Sequence, residues 1–442
     1  MTSKVNSQLQ QTEIGAIPID WKVKKIKEVA KINELNVDSS SDYKKMDYID
    51  ISSIKEGRVV EIKKILIDQA PTRAKRIVRD NDILISTVRP NLRHYAFIAK
   101  GSDRLIASTG FAVITAKGVN PQYLYYYVTS EDYIKYLAAI ADTHTSTYPA
   151  FTPDIIETSL MPFPSLAEQE KIGKALFELD AKIELNIRTN HTLEAIGREF
   201  LKHWFVDFEF PNDIDAPYKT SGGEMVYSEK VGKEIPKGWR LGSIGDIVYV
   251  QAGFAFKSNE LLENGNMGVV KIKNISNNVV DIKDTQYVSR ETIAKLDRRF
   301  LIEPGSVLIA MTGSKVGKLG IVPRTDRKLW LNQRVGIFRE KIDKGLYLIY
   351  LILTSNKYQR ILKDRAFGTV QPNISCSDIE SIELVLPPKE NIAKFGFLFE
   401  SFFQRIIGNL YENEKLSELR ENLLPKLISG ELRLNQFQKA IF

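Results

Sequence analysis

Apolar residues recur every three to four positions from Leu166 to about Phe205: Ile172, Leu176, Leu179, Ile183, Leu193, Phe200 and Trp204, with Asn186, Asn190 and Gly197 in the same stripe. Glu170, Lys171, Lys174, Glu178, Lys182, Glu184 and Arg188 fill the other faces, and Pro164 and Pro211 bracket the run. This period predicts one continuous helix of coiled-coil type. At 1.5 Å per residue it would extend roughly 60 Å, more than one globular core requires. The pattern returns between Lys389 and Ile428 as Phe395, Phe399, Phe402, Ile406, Asn409, Asn413, Leu416, Arg420, Leu423 and Leu427. Each stripe carries its asparagine pair at the midpoint. Asparagine at a core position costs stability but fixes register and partner orientation. Antiparallel pairing sets Asn186 opposite Asn413 and Asn190 opposite Asn409. Parallel pairing would also bring equal positions together; the length of chain between the helices favours the antiparallel arrangement.

The repeat extends beyond the helices. Ile17-Pro18-Ile19-Asp20-Trp21 is answered by Ile235-Pro236-Lys237-Gly238-Trp239, and Tyr48 to Ser52 by Val270 to Asn274. Val78 to Ser86 aligns with Ile302 to Ala310, Thr129-Ser130 with Thr354-Ser355, and Asp154-Ile155 with Asp378-Ile379. The chain therefore reads as one unit, a strand-rich domain plus a long helix, used twice. Within the first unit, Val59 to Ile67, Ile83 to Thr87, Tyr95 to Ala99 and Phe111 to Thr115 have the β-branched and aromatic content of strands. Asn120-Pro121 then opens a helix, Gln122 to Ala139, with a tyrosine-rich face more suited to core packing than to base stacking. The second unit repeats this with strands at Val269 to Ile272, Val307 to Ala310, Gly320 to Val322 and Val335 to Phe338, and a helix from Gly345 to Leu362. The expected fold class is α+β. The expected division is a first domain at 1–165, with 1–12 a loose tail, a first long helix at 166–208, and a linker at 209–230. A second domain at 231–388, a second long helix at 389–430 and a C-terminal tail at 431–442 follow.

A chain of 442 residues, 43% hydrophobic and 26% charged, has the composition of an ordinary globular protein with room for two or three cores. Its one cysteine, Cys376, precludes an internal disulfide and suits a reducing cytoplasm. No signal peptide opens the chain, and its longest apolar run, Leu346 to Leu353, is too short to cross a bilayer, so no membrane partner is expected. The four histidines show no metal-ligand spacing, and no nucleophile elbow is present. Gly313-Ser314-Lys315-Val316-Gly317-Lys318 superficially resembles a phosphate loop, but it stands between two β runs with no helix following, which predicts a turn. Leu386-Pro387-Pro388-Lys389 has the double proline of an adenine-methyltransferase motif without the Asn or Asp before it; it reads as the end of a strand and the start of the long helix. No catalytic or metal-ligating residue is assigned.

The net charge of +7 and pI near 9.0 hint at a polyanionic partner. Cations cluster from Lys55 to Arg104, with half as many acidic residues, and again around Lys315, Lys318, Arg324, Arg327, Lys328, Arg334 and Arg339. Any one of them is accounted for by a solvated surface, but enrichment at the same place in both repeats points to a phosphate-facing surface. The loops Ser86 to His94 and Ala310 to Lys318 offer Ser, Thr, Asn and Arg to base edges. A second polar loop follows in each unit, at 142–149 and at 366–372. The DNA-contact candidates are Lys55, Arg58, Ser86, Thr87, Arg89, Asn91, Arg93, His94, Thr145, Thr147 and Tyr148 in the first unit. In the second they are Lys257, Lys273, Asn274, Thr312, Ser314, Lys315, Lys318, Arg334, Thr369 and Gln371.

With the duplicated Ile-Pro-x-x-Trp starts, the Gly253-Phe254-Ala255-Phe256-Lys257 turn and Leu331-Asn332-Gln333-Arg334, the chain resembles the specificity subunits of type I restriction–modification systems over essentially its whole length. Glu168-Gln169-Glu170-Lys171-Ile172 and the closing Leu424-Pro425-Lys426-Leu427-Ile428-Ser429-Gly430-Glu431-Leu432 belong to the same resemblance. The first unit departs by lacking a clear Gly-Phe-Ala-Phe turn, and Lys389-Glu390-Asn391-Ile392 is less regular than its counterpart. The resemblance implies two target-recognition domains that read a bipartite site in double-stranded DNA, with the paired antiparallel helices as spacer. It implies two modification (methyltransferase) subunits and the restriction (translocase/nuclease) subunits as partners. S-adenosylmethionine, ATP and Mg2+ would be cofactors of those partners, and this chain would hold none. Two alternatives remain at this point. One is a coiled-coil structural or interaction protein whose basic domains are not specific for DNA. The other is a self-contained restriction–methylation enzyme, against which the missing methyltransferase motifs argue.

Overall fold

The computed structural model describes residues 9–37, 44–55, 57–143, 149–366 and 372–434. The chain divides into two compact units, one formed by residues up to Lys182 together with those from Leu416 onward, the other by Ile183–Lys415. The long helices span Leu166–Phe205 and Lys389–Ile428, so each is divided between the units.

The first unit is built on two four-stranded sheets. One is antiparallel, in the order Tyr95–Ile98, Asp82–Ser86, Phe111–Ala116, Ala30–Ile32. The other runs Lys63–Leu66, Lys45–Ile49, Ser102–Ser108, Ala74–Val78, and its central pair is parallel. The second unit repeats this order: Met267–Val270 and Lys328–Leu331 are the parallel pair, flanked by Gln286–Tyr287 and Leu301–Ile302. Its larger sheet runs Val248–Ala252, Val335–Glu340, Val307–Ala310, Leu319–Ile321, Asn278–Val280, Ile275–Ser276. Ile49 and Val270 occupy the same place beside their parallel partners Ala107 and Leu331. The repeat is therefore offset by one residue here from the expected match of Tyr48 with Val270. Flanking hydrophobic residues were too alike to fix that register.

The expected helices Gln122 to Ala139 and Gly345 to Leu362 are each two. The observed spans are Pro121–Val128 with Glu131–Asp142, and Gly345–Thr354 with Asn356–Ala366. The break falls on the repeated Thr-Ser dipeptide. The Thr129 hydroxyl donates back to the Tyr125 carbonyl, Thr354 does the same to Tyr350, and Ser130 accepts from the Tyr133 amide as an N-cap. Leu9–Thr12 is a strand paired with Gly15–Pro18 rather than a loose tail, and the expected linker contains the strand Met225–Ser228 paired with Lys233–Pro236. Phe210, also in that linker, and Phe208, placed by expectation at the end of the first long helix but lying beyond its observed end at Phe205, are both buried against Trp239. These short hairpins escaped notice because each has only four residues a side, one face of which is solvated.

Both helix pairings are antiparallel. In the first unit, Ile172 and Leu176 share a core with Leu427 and Ile428, and Arg420 donates to Asp180 at 2.6 Å. In the second, Phe200 meets Phe399, the Asn186 amide donates to Asn413 at 2.9 Å, and Asn409 donates to Asn190 at 2.7 Å. Asn186 also donates to Glu412. The first unit closes on its C-terminal segment. Arg433 makes paired bonds of 2.8 Å to both Asp20 and buried Glu168, whose second partner is the Trp21 indole.

Candidate nucleic-acid interface

In each unit one strand of the sheet without the central parallel pair described above ends at a loop carrying the polar and basic candidates: Ser86 to His94 after Asp82–Ser86, and Ala310 to Lys318 after Val307–Ala310. Main-chain hydrogen bonds hold both loops in one framework. Ser86 donates to His94 and Ala310 to Lys318; Thr87 donates to Gly110 and Met311 to Arg334. Arg89 donates to Pro149 and Gly313 to Pro372; Leu92 donates back to Arg89 and Val316 to Gly313. Phe151 donates to Thr87 and Ile374 to Met311. All are 2.8 to 3.1 Å long. A single-turn 3-10 helix crowns each loop, Pro90–Leu92 and Gly313–Lys315, so the phosphate-loop look of Gly313 to Lys318 is a turn between strands.

This framework presents some candidates and removes others. Arg89, Asn91 and Arg93 are exposed in the first loop, as are Ser314, Lys318 and Arg334 around the second; Lys55, Arg58 and Lys257 are exposed on other segments. Ser86 and Thr87 are corrected to framework residues. Both are buried, Ser86 donating to the Val88 carbonyl at 2.8 Å and Thr87 to Gly110 at 3.1 Å. His94 is half-buried, and its Nδ1 lies 2.6 Å from the Ile54 carbonyl, which only accepts, so that nitrogen carries the proton. Asn274 is also buried, accepting from the Lys271 amide and donating to the Asp284 carbonyl. Thr312 is buried as well. The Lys315 ammonium folds back onto the carbonyls of Lys273 and Ile275, and Lys273 pairs with Asp284 at 2.9 Å. A polar residue beside a loop is as often its scaffold as its reading head, and sequence does not separate the two. Thr145, Thr147, Tyr148, Thr369 and Gln371 lie outside the described residues.

Gly253 shows why its turn needs glycine. A Cβ there would stand 2.3 Å from the carbonyl oxygens of Leu331 and Asn332. Phe254 instead donates to Leu331 and accepts from Gln333, joining the turn to the segment that leads to Arg334. Of the tyrosine-rich face, Tyr123, Tyr126 and Tyr133 are buried in the core, Tyr127 is half-buried and Tyr136 is exposed.

One pair of residues was missed. Asp50 and Lys271 hold the same place after the parallel strand, and Lys63 and Gln286 face them from matching cross-strand positions. Asp50 accepts from Lys63 at 2.6 Å, whereas the Lys271 ammonium bonds Gln286. Burial opposes charge on Asp50, but hydrogen bonds from Lys63, Ser52 and Ser53 outweigh it and bring its pKa down to about 2. Burial, helped by the nearby Lys273 charge, lowers the pKa of Lys271. One scaffold thus carries an ion pair in one unit and a half-buried cation in the other. The one-residue offset in the alignment hid this exchange.

Among the described residues no group of three or more His, Cys, Asp or Glu is placed to hold a metal ion, and no helix is long and apolar enough to cross a membrane.

A family model for the type I restriction modification DNA specificity domain matches this chain twice, at residues 18–195 and 236–412. The MjaIX type I restriction enzyme specificity subunit of Methanocaldococcus jannaschii is 30% identical, the alignment covering 97% of this chain and 98% of that one. The HindI specificity subunit of Haemophilus influenzae is 26% identical over 93% of this chain and all of the other. The crystal structure of a type I restriction-modification S subunit from M. genitalium shares the fold, with a TM-score of 0.53 at 15% identity, covering 97% of this chain and 99% of that one. With two matched domains and a relative aligned from end to end, the chain belongs to the family of type I restriction–modification DNA specificity subunits.

Proposed function

We propose that each unit reads one half of a bipartite site in double-stranded DNA through the loop that follows Asp82–Ser86 in the first unit and Val307–Ala310 in the second. The chain is the specificity subunit of a type I restriction–modification system, a non-catalytic DNA-recognition component, and its partners are DNA and the modification and restriction subunits. The observation that carries the bipartite reading is the loop framework itself. The same main-chain bonds recur in both units while the exposed side chains differ, as a reader of two unlike sequences requires. In this proposal S-adenosylmethionine, ATP and Mg2+ act on the partner subunits, two of which are modification subunits, and the complex works in the cytoplasm. The methylation pattern of DNA from cells expressing the chain with its modification subunits tests the reading. Two short specified segments separated by a fixed, unspecified gap are expected; one continuous motif overturns it. The purified chain supplied with S-adenosylmethionine alone is expected to transfer no methyl group.

A further inference from the structure

Resting on that reading, we infer that Arg89 and Arg93 are specificity-determining side chains for the half-site of the first unit, retained on backbone that glycine would occupy more easily. Both have left-handed backbone, φ 47° at Arg89 and 56° at Arg93, on either side of the Pro90–Leu92 turn. The matching positions of the second unit are Gly313 and Gly317, with φ 73° and 80°. The loop geometry therefore demands a left-handed residue at each position, and one unit meets the demand with glycine. A Cβ-bearing residue is disfavoured there, the more so when long and without a local hydrogen-bonding group like that of Asn.

The main-chain bonds that close the turn do not involve the guanidinium groups. The turn is closed by the Leu92 amide on Arg89 and the Arg93 amide on Pro90, bonds that any residue with an amide makes. Both side chains are exposed, where burial gives no reason for them. The structural role open to Arg93 is weak: it adds to the effect of Lys135 in lowering the pKa of Glu131, an exposed group already paired to Lys135 at 2.8 Å. The exchange also runs the other way. Exposed Arg334 stands where the first unit has Gly110, and both main chains accept the same bond at that point. The duplicated floor thus carries arginine at two positions in one unit and at a different third position in the other. An arginine fork matches the O6 and N7 acceptors of guanine in the major groove, so the side chains at these positions select bases rather than only neutralise phosphate.

The test uses the full chain co-purified with its modification subunits. The probe is a pool of duplexes randomised over both half-sites, and retained DNA is sequenced. For the Arg89→Gly/Arg93→Gly variant, preference at one or more positions of a single half-site is expected to fall about tenfold or more, with the other half-site unchanged. The melting temperature is expected to be no lower than that of the parent, because left-handed backbone suits glycine. Arg89→Lys/Arg93→Lys, which keeps the charge but not the fork, is expected to lose the same preference. A lowered melting temperature with both half-sites weakened would make the arginines structural and overturn the inference. A uniform loss across all sequences with a shallower salt dependence would make them phosphate contacts and also overturn it, as would unchanged preference. In each of these the parent still selects a two-part motif; a parent that selects none defeats the bipartite reading itself.

Discussion

Asp50 shows how a single substitution within a duplicated frame changes the physics of one unit. Its folded pKa of about 2 lies below its ordinary value of 3.8, so its ion pair with Lys63 contributes stability above about pH 4. That contribution is lost as the pH falls toward 2, because the unfolded chain takes up its proton first. We expect Asp50→Asn to destabilise the first unit by about 1–2 kcal/mol at neutral pH and to flatten its loss of stability between pH 4 and 2. Thermal melts across that range measure both. The asparagine layer behaves differently because its side chains are neutral and three of the four are buried, with Asn186 and Asn409 each 2% exposed, Asn190 9%, and only Asn413 half-buried. Asn190→Leu alone strands the Asn409 amide and should cost about 1–3 kcal/mol, whereas Asn190→Leu with Asn409→Leu should restore or exceed the parent stability. A double-mutant cycle followed by thermal unfolding checks this. A double variant that melts earlier than either single one refutes it.

At the scale of elements, the long helices were legible residue by residue because their period is long, repeated and unbroken, whereas the asparagine pairs fitted either direction of pairing and only the length of chain between the helices favoured the antiparallel one that is observed. The split of the shorter helices was visible as a repeated Thr-Ser, yet periodicity ran through it; a hydroxyl that caps looks like any other polar residue until its acceptor is known. Strands such as Ser102–Ser108 went unseen because only Leu105 to Ser108 are buried, and the polar start masked them. The loops after Asp82–Ser86 and Val307–Ala310 were found, but Ser86, Thr87, Asn274 and Lys315 in and beside them proved to be internal supports. Gly197, in the first helix stripe, marks a close approach rather than a weak point. A Cβ there would meet the Phe399 ring at 2.4 Å. Gly197→Ala, which raises helix propensity, should nevertheless destabilise the second unit by about 1–3 kcal/mol through overpacking, and a melt of the full-length variant decides the sign.

At the scale of the whole molecule, the first unit is discontinuous in sequence: residues from Leu416 onward complete a body begun before Lys182, whereas Ile183–Lys415 is one uninterrupted stretch. Arg433 is the last clasp of that closure, and its partner Glu168 has a side chain only 4% exposed. Arg433→Ala should cost the first unit about 3 kcal/mol by leaving a desolvated carboxylate without its cation, read as a lower melting temperature. The discontinuity also sets an order of events on the ribosome. The usual expectation is that an N-terminal body is finished first as the chain emerges. Here the second unit has all of its sequence while the first still lacks the strip that closes it. A chain arrested after Lys415 should therefore already hold a protease-resistant core from residue 183 on, with the earlier two-fifths of the polypeptide still open to cleavage. The unit whose synthesis starts first is the last to mature, and a newly made molecule passes through a stage at which only one of its two bodies is complete.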